Sequence, residues 1–270
     1  MPKLMRVNMN TKEISLEDLS NYKDYAGFGG RGLTSMIVSK EVPPTCHPLS
    51  EKNKLVIATG LLSGTPAANA GRNSVGAKSP LTGGIKESNA GGNGAFKLAR
   101  FGIRGIVVEG QAEPGKLYCL VLNKDGGTLE PADEYKGLKN YDLLVKLQEK
   151  YGGKVGSLSI GPAGEMKLSS ASVAVSDTKG RPTRHAGRGG MGAVMGSKGL
   201  KAVVIDDAGA PKIEYTDFDA FKVAAAKLRK ALQAHDVTKP GGGLAVFGTN
   251  VLVNVINESG GFPTRNFTEG

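Results

Sequence analysis

The sequence predicts an α+β fold whose β-rich amino-terminal part is internally duplicated and is followed by the first helices of an all-α domain. Three observations predict it: short apolar or alternating stretches with few helical segments over residues 1–208, a repeated glycine-loop, helix and strand pattern, and a switch to helical periodicity over residues 209–270.

The strand-like stretches are Lys3 to Val7, Lys54 to Thr59, Gly105 to Gly110, Lys116 to Asn123, Val155 to Ile160, Lys167 to Val175 and Lys201 to Asp206. Each is short and rich in apolar, often β-branched residues. Arg31 to Lys40 and Tyr141 to Tyr151 read as helices among them. After Ala208, Phe218, Phe221, Ala225, Leu228 and Leu232 recur at spacings of three and four, one apolar helix face that Thr216 or Asp217 can cap. Pro240 and Gly241 to Gly243 end that segment, and a second runs from Leu244 to about Glu258 before Gly260, Gly261 and Pro263. Two helices with so little partner sequence read as the opening of a helical domain that is cut short.

The repeat appears when Gly91 to Glu109 is laid on Gly189 to Asp206 with Phe101 skipped. Both copies run Gly-Gly-x-Gly-Ala, a helical turn, a base (Arg100, Lys198), a glycine (Gly102, Gly199), an apolar residue, a second base (Arg104, Lys201), a small residue, an apolar run and an acid (Glu109, Asp206). A glycine loop that opens a helix presents free backbone N–H groups and the positive end of the helix dipole, so two copies imply two anion sites facing each other. Arg72 and Lys78 lie upstream of the first copy, and Arg184, His185 and Arg188 lead into the second. For either loop alone, a tight turn is the competing reading; the pair, with arginines at both, favours a ligand.

The chain has 270 residues, a formal net charge of +10 and 40 glycines, about twice the usual ~7%. The charge favours an anionic partner. A low aromatic content (6%, no Trp) and the lack of a dense basic run argue against nucleic acid, so phosphate on a small ligand is the better match. No apolar run approaches the ~20 residues of a membrane helix, and MPKLMRVNMN does not lead into a signal-peptide core, so a cytoplasmic location is expected. Cys46 and Cys119 cannot make a disulfide framework or supply the thiolates of an iron–sulfur cluster. No P-loop is present, and GFGGRG (Gly27 to Gly32) lacks the strand and spaced acid of a dinucleotide site. His47 and His235 read as surface residues, whereas His185 stands between arginines, able to donate or accept a hydrogen bond, with a structural role as the competing reading.

The motifs GGRGL (Gly29 to Leu33), EKNKL (Glu51 to Leu55), AKSPLTGG (Ala77 to Gly84), SNAGG (Ser88 to Gly92), SIGPAGE (Ser159 to Glu165), RHAGRGGMGAVMGSKGLKA (Arg184 to Ala202) and FGTNVLVNVINESGGFPTRNF (Phe247 to Phe267) make the chain resemble the aldehyde ferredoxin oxidoreductase family along essentially its whole length. The resemblance implies two similar β-rich halves forming a base under two pyranopterin dithiolenes that bind one tungsten, or molybdenum, atom through their own sulfurs. It further implies a magnesium ion (Mg2+) joining the two pterin phosphates and held by backbone carbonyls.

Carried over residue by residue, the resemblance puts Arg72 between pterin and cluster, and Asn89 and Gly91 on one phosphate loop. Arg184, His185 and Gly187 fall on the other loop, supported by Arg188, with Asn89 and His185 as the magnesium contacts. Many members of the family have alanine where this chain has His185. The resemblance also implies that the [4Fe-4S] cysteines and the proton-transfer residues lie downstream of Gly270, leaving no catalytic residue to assign here.

The expected function is therefore the bis-pyranopterin-binding portion (tungstopterin, W or Mo) of an oxidoreductase that oxidises aldehydes to carboxylic acids and passes electrons through a [4Fe-4S] cluster to ferredoxin or another redox subunit. A homodimer is among the expected assemblies; nucleic acid and membrane are not among the partners. The competing reading is a non-catalytic pterin-binding module or a subunit completed by another chain. A basic nucleic-acid-binding protein, suggested by charge alone, comes third.

Overall fold

The computed structural model describes residues 2–269. The chain divides into two compact units, Met1–Ile213 and Glu214–Gly270.

The first unit holds two six-stranded sheets. In chain order the elements of the first sheet are β1 (Lys3–Asn8), β2 (Ile14–Asp18), helix α1 (Gly30–Glu41), β3 (Leu55–Thr59), β4 (Asn73–Lys78), β5 (Ile85–Ala90), α2 (Gly94–Arg100) and β6 (Ile103–Glu109). Those of the second are β7 (Tyr118–Asn123), β8 (Gly126–Pro131), α3 (Asn140–Tyr151), β9 (Gly156–Ser159), α4 (Pro162–Glu165), β10 (Val173–Val175), β11 (Arg184–Ala186), α5 (Met191–Ser197) and β12 (Leu200–Ile205). The strand orders are β2-β1-β6-β3-β4-β5 and β8-β7-β12-β9-β10-β11, the same order with six added to each number. In both sheets one neighbouring pair is parallel, β1 with β6 and β7 with β12, and the other pairs are antiparallel. The sequence repeat therefore coincides with equivalent elements, α2–β6 and α5–β12.

Apolar residues on alternate faces of the strands set the layers. Met5, Ile57, Val75 and Ile106 of the first sheet share one core with Leu120, Leu158, Val173 and Val203 of the second, together with Leu98 of α2 and Val194 of α5. The opposite face of the first sheet, with Leu4, Val56 and Val107, is covered by Leu33 and Ile37 of α1. Likewise Cys119, Val121 and Val204 on the outer face of the second sheet are covered by Leu143 and Leu147 of α3. Strands buried on both faces, such as β3 and, apart from Lys201, β12, are apolar almost throughout, which is why their positions could be read directly. Cys119 is a core residue, and Cys46 is also buried; both are free thiols. Burial pushes the Cys119 thiol up to about 12.

Residues Gly27 to Gly32 lead into α1 after the 3-10 turn Leu19–Asn21 and a bend, with no strand directly before them. Gly29 is small because a Cβ there would press to about 3.0 Å from the Thr59 carbonyl oxygen, so this glycine serves packing.

In the second unit the elements are α6 (Phe218–Ala234), α7 (Gly243–Phe247), a 3-10 turn (Gly248–Leu252) and α8 (Val253–Glu258). The Asp217 side chain caps α6 by accepting from the Ala220 N–H at 2.8 Å. Helix α6 stops at Ala234, before Pro240, because the chain turns extended at His235. The expected second helix is divided where Gly248 takes a left-handed φ of 58°. No residue of these helices is buried; the Tyr215 ring packs at a tilt against Phe218 and Phe221, at 5.1 and 4.8 Å between ring centres.

Candidate anion and cofactor cradle

Strands β5 and β11, the edges of the two sheets, lie side by side. Two hydrogen bonds clasp the halves there: Arg188 N–H donates to Ser88 Oγ at 2.9 Å, and Ser79 Oγ–H donates to the Gly189 carbonyl at 2.7 Å. Arg72 stands just before β4 and donates through Nε to Asn89 Oδ1 and through Nη2 to the Asn89 carbonyl at 3.4 Å. Asn89 faces Ser74 in the β4–β5 register and donates Nδ2–H to Ser74 Oγ at 3.1 Å. The guanidinium is thus oriented before any ligand arrives.

The β10–β11 hairpin is built on Asp177. Backbone donation from Arg181 foremost, against burial, and then the Arg181 and Thr183 side chains hold its carboxyl well below the usual carboxylate range. From this hairpin Arg184 and His185 project, and His185 Nδ1 lies 2.9 Å from Ser172 Oγ.

Arg72, Asn89, Ala90, Gly91, Gly92, Thr183, Arg184 and His185 enclose one cavity of about 510 Å³. Five of the seven sequence-predicted residues therefore meet in it, and no carboxylate lines it. Gly187 and Arg188 sit in the turn beside it and outside its lining. A second cavity, of about 680 Å³, shares Arg72 and Asn89 and extends past Arg31, Leu61, Leu62 and Glu87. There Glu87 Oε2 accepts from Arg31 Nε at 3.2 Å while its other oxygen is buried without a partner.

Glycines divide by what they face. Gly92 (φ 117°) and Gly190 (φ 72°) are left-handed, and a Cβ on either would overlap the carbonyl oxygen of Ser176 or Ser169 from the second half. The N–H groups of Asn93 and Gly192, at the starts of α2 and α5, are already taken by the carbonyls of Ser176 and Ala171, each at 2.9 Å. At these two N–H groups the helix starts bind carbonyls of the second half of the protein in place of the anion expected there. By contrast, a Cβ on Gly91 would meet only Arg72 Nη1 at 3.9 Å and one on Gly187 would meet nothing within 4 Å, which leaves room for a ligand at both.

The bases of the repeat are engaged within the protein. Arg100 and Lys97 bind Asp207. Lys198 is fully buried, donates to the carbonyls of Ser50, Glu51 and Asn53, and is pushed down to about 8 by burial. Lys201 is buried against Glu165, and Lys78 donates to the Pro44 carbonyl. His47 and His235 are exposed. Thr183, Ser74 and Ser172, which complete or brace the cavity, carried no recognisable motif. Among the described residues no group of three or more His, Cys, Asp or Glu is placed to hold a metal ion, and no helix is long and apolar enough to cross a membrane.

Comparison with known families settles where this architecture belongs. The model of the family described as "Aldehyde ferredoxin oxidoreductase, N-terminal domain" matches residues 4–207. The chain belongs to this family. It is 39% identical over 269 residues to the tungsten-containing aldehyde ferredoxin oxidoreductase of Pyrococcus furiosus, covering 99% of this chain and 43% of that protein. With the enzyme of the same description from Pyrococcus horikoshii it is 40% identical over 270 residues, covering 99% and 42%. A more distant relative, the "Aliphatic sulfonate oxidoreductase, WOR-like subunit" of Pyrococcus furiosus, is 30% identical over 246 residues, covering 85% and 38%. Among solved structures, the "Active site complex BamBC of Benzoyl Coenzyme A reductase in complex with 1,5 Dienoyl-CoA" matches with a TM-score of 0.77 and 29% identity, covering 86% of this chain and 34% of that chain. The chain spans less than half the length of these aldehyde ferredoxin oxidoreductases.

The tungsten in the names of these relatives implies a tungstopterin cofactor, and guanidiniums with open glycine backbone suit the phosphate of such a ligand.

Proposed function

We propose that this chain is the cofactor-binding base of a tungsten (or molybdenum) bis-pyranopterin oxidoreductase. The reading is carried by one observation: residues from both halves, Arg72, Asn89 and Gly91 from one and Arg184 and His185 from the other, converge on a single carboxylate-free cavity. Arg72, Asn89 and Gly91 would hold one ligand phosphate, and Arg184, His185, Gly187 and Arg188 the other, with magnesium between them on the Asn89 and His185 carbonyls. The complete enzyme oxidises an aldehyde to a carboxylic acid, with a [4Fe-4S] cluster and ferredoxin taking the electrons. When bound, the metal and pterins supply the two-electron chemistry. This chain's residues bind and orient: the Asn89–Ser74 pair holds Arg72 in place, and the β10–β11 hairpin holds Arg184 and His185. The second unit is the start of a helical domain.

Metal and pterin analysis of protein made anaerobically with tungstate or molybdate tests this. Bound metal together with pterin is expected; the absence of both ends the reading.

A second reading, a subunit completed by another polypeptide, is favoured by two relatives whose names describe a subunit and a complex. Affinity isolation of the tagged native protein decides it. A stoichiometric iron–sulfur partner is expected on this reading, and a lone polypeptide contradicts it.

A further inference from the structure

His185 faces Ala174 in the β10–β11 register as Asn89 faces Ser74 in the β4–β5 register, so the position equivalent to His185 in the first half is Asn89 and the two halves of the cradle carry different chemistry at one place. His185 is exposed, lines the cavity of about 510 Å³ between Arg184 and Arg72, and has its Nδ1 tied to Ser172 Oγ at 2.9 Å. Its Nε2 has no hydrogen-bond partner among the described residues. From this geometry we propose that Ser172 and His185 form a built-in donor pair, in which the side chain of His185 presents Nε2–H to an anionic phosphate group in that cavity. This goes beyond the backbone contact assigned to His185 above, and it rests on the cradle reading.

The chemistry follows from the tautomer. A serine hydroxyl that donates to Nδ1 leaves the ring proton on Nε2, so the free nitrogen is a donor and not a lone pair. A donor on a residue lining a space that already holds two arginines and no carboxylate suits an anion. The first half has no counterpart, because the side chain of the equivalent Asn89 accepts from Arg72 through Oδ1 and donates to Ser74 through Nδ2. The two ligand halves are therefore held unequally, with the added donor on the side of the second sheet.

The test uses the whole chain, labelled with 15N-histidine, and inorganic pyrophosphate as the probe. Long-range proton–nitrogen correlation, with His185→Ala to assign the resonance, is expected to show the Nε2–H tautomer and a shift of Nε2 on adding pyrophosphate. Pyrophosphate affinity should fall about tenfold in His185→Ala, the low end of what a hydrogen bond to a charged group contributes. It should fall less in Ser172→Ala, where the tautomer preference should also disappear, and His185→Gln should recover part of the loss. An affinity unchanged in His185→Ala, while Arg72→Ala and Arg184→Ala lose binding, overturns the donor pair and leaves the cradle standing. An Nδ1–H tautomer in the wild type overturns it as well. If the wild type shows no saturable binding the donor pair falls, and the cradle then stands or falls on metal and pterin content.

Discussion

Arg104 and Lys201 occupy the same place in the two sheets: each is the extra residue of a β-bulge where the parallel pair shifts register, between Ile103 and Gly105 in β6 and between Leu200 and Ala202 in β12. Their surroundings have diverged. Lys201 is fully buried on Glu165 and the Leu138 carbonyl, whereas Arg104 has no carboxylate partner among the described residues and burial lowers its guanidinium pKa.

Lys201→Met should therefore destabilise the fold by about 3 to 5 kcal/mol, because it strands the largely buried Glu165 carboxylate. Arg104→Met should cost less than about 1 kcal/mol. Urea unfolding of both variants checks the difference, and equal losses would contradict it.

Glu41 predicts the acid limb of stability. Burial alone would raise its carboxyl, but hydrogen bonds from Arg6, Lys54 and Tyr25 outweigh this and hold it at about 2 against an ordinary 4.5. A depressed carboxylate contributes stability above its unfolded value and loses it as pH falls through the folded one, so this contribution is lost between about 4.5 and 2. Unfolding free energy measured across that range should fall less steeply in Glu41→Gln than in the wild type; parallel curves would contradict the assignment.

Gly92→Ala and Gly187→Ala separate architecture from ligand space. At Gly92 the left-handed φ and the Ser176 carbonyl both oppose a Cβ, so a loss of more than about 2 kcal/mol is expected. Gly187 is open, and alanine there should leave thermal stability within about 0.5 kcal/mol while lowering cofactor retention. Melting curves and metal content, measured together, distinguish the two.

Legibility followed burial. The apolar runs of β3 and β12 announced themselves, and both longer helices of the first unit began and ended within a residue or so of expectation. Strands β5 (IKESNA), β8 (GGTLEP) and β11 (RHA) did not, because an edge strand needs no continuous apolar face. Two of these edges, β5 and β11, build the cradle, so there the polar sequence that hides the strand also carries the site. The glycine loops were readable as a repeat, but which glycine is left open and which packs on a backbone carbonyl depends on φ and on opposing carbonyls that only the tertiary structure supplies. That the repeated bases serve the fold was not readable either, because a bulge and a buried lysine cage leave no pattern distinct from a basic loop. Ser172, thirteen residues from His185, belongs to no motif at all.

The cradle itself is tested most directly by metal and pterin content in anaerobically produced protein, with Arg72→Ala and Arg184→Ala prepared in parallel. The wild type should retain tungsten or molybdenum with two pterins per metal atom, and both variants should lose most of each while keeping their fold. Wild-type protein without metal and pterin, or both variants retaining the wild-type content, would contradict the account.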